Sequence, residues 1–275
     1  MTQEERLNTL LDRFLRDAGK KTVPPVGDSI EEKRSALRAL MNVRMPHEMD
    51  AETLALQDEY LRYRAEEKGI VAVEDIPSSA ADPCLSVWQG DITRLAADAI
   101  VNAANGEMLG CFIPCHSCID NCIHTFAGIQ LRAECARNME SLRARRGRTF
   151  AQPTAVPMLT NAYNLPAKKV VHIVGPVVEG MLTPALERAL ADCYTNTLDR
   201  CLKNGLRSVA FCCISTGAFH FPKDRAAHLA VKTVREWLAA HPDGMDRVIF
   251  NVFSDADRVR YEAILQSLCP APMHL

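Results

Sequence analysis

Residues 99–105 read AIVNAAN, a short apolar run that ends in an asparagine-rich turn. Similar short apolar runs occur at residues 168–176 (KKVVHIVGP), 208–215 (SVAFCCIS) and 246–254 (DRVIFNVFS). Segments with helical spacing separate these runs. Continuous apolar strands that alternate with helices indicate a mostly parallel sheet covered on both faces. The sequence therefore predicts an α/β fold with helices on either side of the sheet.

The turns that follow the predicted strands are rich in Gly, Asn, Ser and Thr. They read QGDIT at residues 89–93, NAANGEMLG at residues 102–110 and ISTGAFHFP at residues 214–222. Ligands of parallel sheets bind at the carboxyl ends of the strands, and backbone N–H groups in such turns bind anions. We therefore expect a nucleotide-like or phosphate-bearing ligand, although the sequence contains neither a Walker loop nor a G-x-G-x-x-G fingerprint.

The first part of the chain, residues 1–75, reads as a helical N-terminal extension. Residues 3–19 carry an apolar stripe at helical spacing: Leu7, Leu10, Leu11 and Phe14. Residues 29–46 begin with a serine cap and an acidic first turn, and they end at a proline. After the linker-like DIPSSAADP at residues 75–83, we expect a second domain at residues 84–270.

The composition narrows the class of protein. The 275 residues are 48% hydrophobic and 24% charged, with a formal net charge of −2. This balance predicts a globular protein with neither a nucleic acid nor a membrane as its partner. No apolar run reaches the roughly 18 residues of a membrane helix, and the charged N-terminal segment lacks a signal-peptide core. We therefore expect a cytoplasmic location.

The sequence has 11 cysteines. In a reducing compartment, clustered cysteines are more often metal ligands than disulfides. Cysteines within the predicted strands and helices are expected to pack in the core like small hydrophobic residues. These are Cys193, Cys201, Cys212 and Cys213. Others cluster at residues 109–124 (LGCFIPCHSCIDNCIH), where a disulfide knot, a structural zinc clip and a metal used in chemistry are the alternatives.

Three motifs in this order resemble the macrodomain, an ADP-ribose-binding fold. They are GDIT at residues 90–93, IVNAAN at residues 100–105 and STGAFHFP at residues 215–222. The resemblance implies a three-layer α/β/α arrangement for the second domain. At residues 111–118, CFIPCHSC stands where ordinary hydrolytic macrodomains have a glycine-rich loop. This segment resembles the zinc-containing macrodomains of bacteria and fungi.

That resemblance implies removal of mono-ADP-ribose from modified protein side chains, with zinc at the site. The implied ligand is ADP-ribose, and the implied partner is a mono-ADP-ribosylated protein. In some genomes such enzymes accompany a sirtuin-type ADP-ribosyltransferase and a lipoyl-carrier protein, which makes a lipoyl-carrier protein one candidate substrate. The alternative is a reader module that binds ADP-ribose without cleaving it and carries a structural zinc. A third hypothesis is that the cluster senses thiol oxidants.

The same resemblance implies the residues that bind ADP-ribose. Asp91 would accept a hydrogen bond from the adenine amine beside the Ile92 N–H, or it would serve only as the N-cap of a short helix. Asn105 would bind the distal ribose, and Asn102 would either join it or support the loop. The backbone N–H groups that would cradle the diphosphate belong to Ser215, Thr216, Gly217, Ala218 and Phe219.

By resemblance, the zinc ligands are Cys111, His116 and Cys118, with the spacing C-x4-H-x-C. Two thiolates and an imidazole suit Zn²⁺, and three protein ligands leave the open position that catalytic zinc uses. A fourth ligand, Cys115, would instead close the site as a structural one. Adjacent Cys115 and His116 would coordinate one metal only with strain, and Pro114 stiffens the turn. We therefore expect Cys115 to be a bystander.

The catalytic residues implied by the resemblance are Asn105 and Asp120, which would orient the sugar and the attacking group. The alternative role of Asp120 is to favour the helix start through the helix dipole. His124, on the same helical face, is expected to be packed behind the site. The ring of Phe219 would lie against the ligand or pack in the core, and His220 is expected at the surface.

Overall fold

The computed structural model describes residues 1–19 and 27–268 of the chain. Its helices are α1 (Gln3–Ala18), α2 (Ile30–Val43), α3 (Ala51–Lys68), α4 (Ile119–Ala127), α5 (Ile129–Arg146), α6 (Pro184–Lys203), α7 (Lys223–Ala240) and α8 (Asp255–Gln266). Its strands are β1 (Val71–Ala72), β2 (Leu85–Gln89), β3 (Leu95–Ala96), β4 (Ala99–Ala104), β5 (Met158–Asn161), β6 (Lys169–Val174), β7 (Ser208–Phe211) and β8 (Arg247–Val252). Among the described helices, none combines the length and apolar character needed to cross a membrane.

The large sheet has the strand order β2-β8-β7-β4-β6-β5. Its neighbouring strands are parallel except for β5, which runs antiparallel to β6 at one edge. The predicted mostly parallel α/β sheet is therefore confirmed. The sequence did not predict β5, whose four residues, MLTN, form too short and too polar a run to resemble the buried strands.

Helices cover the sheet from two groups. In one group, α4 contacts β4 and α5 contacts β5, and the N-terminal helices α2 and α3 pack on α4. In the other group, α6, α7 and α8 pack in sequence and contact β6, β8 and β2. These groups form the outer layers of the expected α/β/α arrangement. The predicted core cysteines lie beneath them, with Cys193 and Cys201 fully buried and Cys213 half-buried.

The parallel register brings the carboxyl ends of several strands to one edge. Gln89 at the end of β2 lies beside Val252 at the end of β8, and Ala104 at the end of β4 lies beside Val174 of β6. The motif-bearing loops after β2, β4 and β7 therefore converge, as parallel sheets require.

The N-terminal helices have their own apolar core. Thr2 and Ser29 cap α1 and α2 through capping boxes, and the predicted Ser29 cap is thus confirmed. The predicted stripe of α1 is buried in a cluster that also includes residues of α2, α3 and the start of α5. The helices therefore pack against the α/β domain. The boundaries 1–75 and 84–270 stay predictions, and residues 20–26, 269 and 270 lie outside the described part.

Candidate active site

Asp91 follows β2 and has two sets of partners. Its Oδ1 accepts hydrogen bonds from the Thr93 backbone N–H at 3.0 Å and from the Thr93 hydroxyl at 2.6 Å. The carboxylate thus caps the short helix Ile92–Arg94, which is the alternative role considered for it. Its Oδ2 lies 2.5 Å from Nζ of Lys68. Burial acts to raise the pKa of Asp91, but Lys68 and Thr93 outweigh burial and the pKa is lowered.

Lys68 is the last residue of α3, and the sequence did not identify it as a site residue. Its Nζ donates to the Thr93 hydroxyl at 2.9 Å and lies 3.4 Å from the centroid of the Phe126 ring on α4. Burial lowers the pKa of Lys68, while the neighbouring Asp91 carboxylate opposes that shift. Because a cation above an aromatic face is attracted to it, Lys68 holds the adenine end of the expected site against the N-terminal helices.

The predicted diphosphate loop, residues 215–219, begins in a strained conformation. Ser215 has φ 64, in the left-handed region that disfavours non-glycine residues. A Cβ at Gly175, after β6, would lie 2.0 Å from Ser215 Oγ, so the loop needs a glycine opposite it. Within the described residues, the N–H groups of Gly217, Ala218 and Phe219 donate to no protein acceptor. Such free N–H groups suit an anion.

Phe219 and Asn105 also belong to the predicted ADP-ribose site, and the structure shows where each of them lies. The Phe219 side chain is half-buried and packs against the main core, which was its alternative role. Asn105, after β4, accepts a hydrogen bond from the Glu107 N–H at its Oδ1, 3.0 Å away. Its side chain is half-buried at the carboxyl edge of the sheet. The roles of both residues toward a ligand stay predictions.

Asn102 lies wholly inside the protein, with none of its surface exposed. Its Nδ2 donates to Asp120 Oδ1 at 2.8 Å and lies 3.0 Å from His172 Nδ1. With Nδ1 of His172 accepting from Asn102, the ring hydrogen is on Nε2, which lies 3.0 Å from the Thr160 hydroxyl oxygen. A buried chain of hydrogen bonds thus runs from β5 through β6 and β4 to Asp120. These contacts match the support role considered for Asn102.

Asp120 stands in the first turn of α4, where the helix dipole favours a carboxylate. Burial raises its pKa to about 6, although Asn102 and the charge of Arg132 act in the opposite direction. His124 Nε2 lies 3.6 Å from Asp120 Oδ1. His124 is fully buried, as expected for a residue behind the site, and burial lowers its pKa well below the usual value. Burial therefore favours the protonated form of Asp120 more than that of an exposed aspartate.

The predicted metal ligands come together. One ligand atom each from Cys111, His116 and Cys118 lies within 4.8 Å of the other two. Cys111 Sγ and His116 Nδ1 are 3.6 Å apart. Burial and the neighbouring Cys111 raise the pKa of the Cys118 thiol to about 12. A divalent cation reverses such a shift, because it deprotonates the thiols that coordinate it.

Cys115 lies apart from that group. It has φ 54, and its Sγ donates to the Ser35 carbonyl of α2 at 3.3 Å. Because its thiol turns toward α2, its contacts fit the expected bystander and not a fourth ligand. The described cysteines are all free thiols, so the disulfide-knot alternative finds no support in them.

Side chains that the sequence analysis missed hold the metal loop, residues 109–118. The Nδ2 of Asn121 donates to the Ile113 carbonyl at 2.9 Å and the Cys111 carbonyl at 3.3 Å. Arg132 donates to the Leu109 carbonyl at 2.8 Å and to carbonyls at the end of α2. A Cβ at Gly110, which has φ 79, would lie 2.8 Å from the His124 ring. No sequence pattern marks these contacts, because each joins residues far apart in the chain or in an irregular loop.

A second group of potential metal ligands is buried beneath Asp120. It consists of His124, Cys135 and His172. Burial lowers the pKa of His172 to about 3 and raises the pKa of the Cys135 thiol. Both nitrogens of His172 lie within hydrogen-bond distance of a polar protein atom, on Asn102 and Thr160. The group therefore reads as packing and support for the helix that carries Asp120.

Comparisons with known proteins show which family the chain resembles. Residues 101–230 match the Macro domain family. The chain is 43% identical over 267 residues to a "Protein-ADP-ribose hydrolase" of Treponema medium, covering 96% of this chain and 100% of the relative. It is 39% identical to a protein of the same name from Staphylococcus aureus, covering 95% of each chain. A Trypanosoma brucei macrodomain in complex with ADP-ribose matches with a TM-score of 0.62 and 29% identity, covering 86% of this chain and 96% of that one.

Proposed function

The chain belongs to the Macro domain family, and from this we propose that it is a zinc-dependent protein-ADP-ribose hydrolase. The observation that carries the hydrolase activity is the 43% identity to a "Protein-ADP-ribose hydrolase" over the whole length of that relative. The grouping of Cys111, His116 and Cys118 supports the zinc part of the proposal. The reaction would release mono-ADP-ribose from a modified protein side chain. The lipoyl-carrier protein implied by the family resemblance stays one candidate substrate.

The converging loops supply a binding mode for ADP-ribose. Adenine would lie at Asp91 and the Ile92 N–H, and the diphosphate would lie over residues 215–219. The free N–H groups of that loop support the diphosphate position, since anions bind such groups. Asn105, at the end of β4, would then meet the distal ribose. Its amide both donates and accepts hydrogen bonds, as ribose hydroxyls require.

Hydrolysis breaks the bond between ribose C1″ and the target side chain, while water supplies a hydroxyl to C1″ and a proton to the leaving group. Asp120 is the candidate to orient that water or a ribose hydroxyl and to hold its proton. Burial raises the pKa of Asp120 above that of an exposed aspartate, which favours a carboxyl group able to hold a proton. Asn102 fixes Asp120 by a hydrogen bond of 2.8 Å. We expect no covalent enzyme intermediate.

Zinc fits the residues that would hold it. Two thiols and one imidazole offer ligand atoms within 4.8 Å of one another, which is the donor set and spacing of a Zn²⁺ site with an open position. When bound there, zinc supplies Lewis-acid polarisation of an oxygen ligand. Cys118, which caps α4, and Asp120, in the first turn of α4, are two residues apart, so the two groups share one helix start.

A cytoplasmic location is part of the same proposal. The free thiols of the described cysteines support it, because exposed thiol clusters persist in reducing compartments.

The test is release of ADP-ribose from a mono-ADP-ribosylated protein by the full chain, with zinc quantified in the same sample. We expect the parental protein to carry zinc and release ADP-ribose, and Cys118→Ser to lose both. A parental protein that binds ADP-ribose yet releases none from several side-chain linkages would support the reader alternative. Retention of activity after zinc removal would contradict the zinc requirement alone.

A further inference from the structure

Helix α2 of the N-terminal extension reaches directly into the metal loop. Arg38 Nη2 donates to the backbone carbonyl of His116 at 2.7 Å and to Asn121 Oδ1 at 2.8 Å. Asn121 in turn donates to the carbonyls of Cys111 and Ile113. One guanidinium of the extension therefore ties a predicted ligand, His116, to the side chain that holds the other end of the loop.

Asn42, one turn further along α2, holds the middle of the same loop. It is 1% exposed, and its Oδ1 accepts from the Cys115 N–H at 2.9 Å. Its Nδ2 donates to the Thr125 hydroxyl on α4 at 2.8 Å. Cys115 has φ 54, a conformation that persists only when surrounding contacts hold it. Asn42 and the Ser35 carbonyl, which bond its N–H and its thiol, are those contacts.

We propose that α2 is a positioning element for the metal site, and that Arg38 and Asn42 are its positioning residues. They fix the strained turn at Cys115, so that His116 stands beside Cys111 and Cys118. The inference rests on the proposed zinc site at those ligands. It also gives Cys115 a role, because its backbone and thiol anchor the loop to α2.

The physical reason is preorganisation. The metal loop is irregular and largely exposed, so its own backbone bonds cannot fix three ligand atoms around one ion. Side chains that orient metal ligands from outside the coordination sphere are typically worth about 10–100-fold in metal affinity. Arg38 and Asn42 act on the backbone of the loop in that manner, from a helix that is itself held by an apolar core.

The experiment compares Arg38→Met with Arg34→Met in the full chain. Arg34 lies one turn earlier on α2 and pairs with Glu31 and Glu67, away from the metal loop. Zinc affinity is measured by competition with a chromophoric chelator, and ADP-ribose affinity and thermal unfolding are measured on the zinc-free proteins. We expect Arg38→Met to weaken zinc binding by about tenfold or more, with ADP-ribose affinity unchanged. Arg34→Met should keep parental zinc affinity.

Asn42→Leu should weaken zinc binding in the same direction. Because Asn42 is buried, this variant could also fail to fold, and Arg38→Met then decides the question alone. Parental zinc affinity in Arg38→Met, or an equal loss in Arg34→Met, would overturn the positioning role while leaving the proposed function intact. A parental protein that binds no zinc would instead refute the zinc site and this inference together.

Discussion

The Nζ of Lys68 lies 2.5 Å from the carboxylate of Asp91, so the end of the N-terminal extension meets the residue expected to bind adenine. The same ammonium lies above the Phe126 ring of α4. The extension therefore contacts the candidate site at two places, through Lys68 at the adenine end and through α2 at the metal loop. It is part of the architecture of the site.

Replacing Lys68 tests the first of these contacts. Lys68→Met removes the ion pair and the contact with Phe126, which should cost about 1 kcal/mol of unfolding free energy. It also removes the partner that holds the Asp91 carboxylate in position. We therefore expect ADP-ribose binding, measured by calorimetry, to weaken. Lys232→Met is the control, since Lys232 pairs with Glu236 on the surface of α7. Unchanged or tighter ADP-ribose binding in Lys68→Met would show that Asp91 needs no partner.

Replacing Cys118 and Cys115 separately by serine tests which thiols bind the metal. Cys118→Ser removes a predicted ligand, so zinc content measured after dialysis should fall to a small fraction of the parental value. Cys115→Ser should keep its zinc, because the Cys115 thiol bonds the Ser35 carbonyl and lies outside the ligand group. Equal loss of zinc from both variants would indicate a closed site with Cys115 as the fourth ligand.

Replacing Asn102 tests whether it supports Asp120 or contacts the ligand. Asn102→Ala removes the hydrogen bond that holds Asp120, so kcat should fall while the Kd for ADP-ribose stays near parental. The loss of buried bonds to Asp120 and His172 should also cost about 1–3 kcal/mol of stability. If the affinity for ADP-ribose fell in proportion to kcat, the result would indicate that Asn102 contacts the ribose directly and does not act through Asp120.

Replacing Gly175 tests how closely it packs against Ser215 in the predicted diphosphate loop. In Gly175→Ala the new Cβ would lie 2.0 Å from Ser215 Oγ, so we expect a loss of about 1–3 kcal/mol in chemical unfolding. Adding Ser215→Gly removes that oxygen and suits the positive φ of the position, so part of the loss should be recovered, while Ile214 Cγ2, 2.7 Å from the new Cβ, still has to shift. Failure of the double variant to recover stability would place the strain elsewhere.

Stability should fall in acid because of His172. Burial lowers its pKa to about 3 from the usual 6.5, so the unfolded chain binds more protons between these values. The free energy of unfolding contributed by His172 is therefore full above pH 6.5 and is lost as the pH falls toward 3. Two titratable groups lie close to it, His124 on α4 and Cys135 on α5.

The matching measurement is chemical unfolding of parental protein, His172→Gln and His228→Gln at several pH values. His172→Gln should be less stable at neutral pH and should lose less stability on acidification. His228 is exposed, and among the described residues its ring bonds the Asp224 carbonyl, so its variant should follow the parental curve. An acid slope in His172→Gln equal to the parental slope would assign that slope to other groups, of which buried His124 is the first candidate.

Much of the fold followed from local pattern. Apolar runs such as residues 99–105 are continuous because both faces of a parallel strand are buried, and that signal is visible without a structure. Strand β5 was not predicted, because this short antiparallel edge strand has no continuous apolar run. The extension was predicted as helices, but its contacts were not, since Lys68 and Arg38 look like ordinary charged residues on solvated helical faces.

The sequence alone determined which candidate groups the protein carries: the thiols and imidazole at C-x4-H-x-C, the carboxylate at Asp120 and the glycine-bearing loop at residues 215–219. Donor type and local spacing are properties of the chain itself, so they could be read directly. Only the tertiary structure decided which groups support them. Asn102 on Asp120, Lys68 on Asp91 and Arg38 on His116 join residues that are far apart in sequence. Such pairs exist only after sheet register and helix packing have brought separate segments together, because no local pattern encodes a long-range distance.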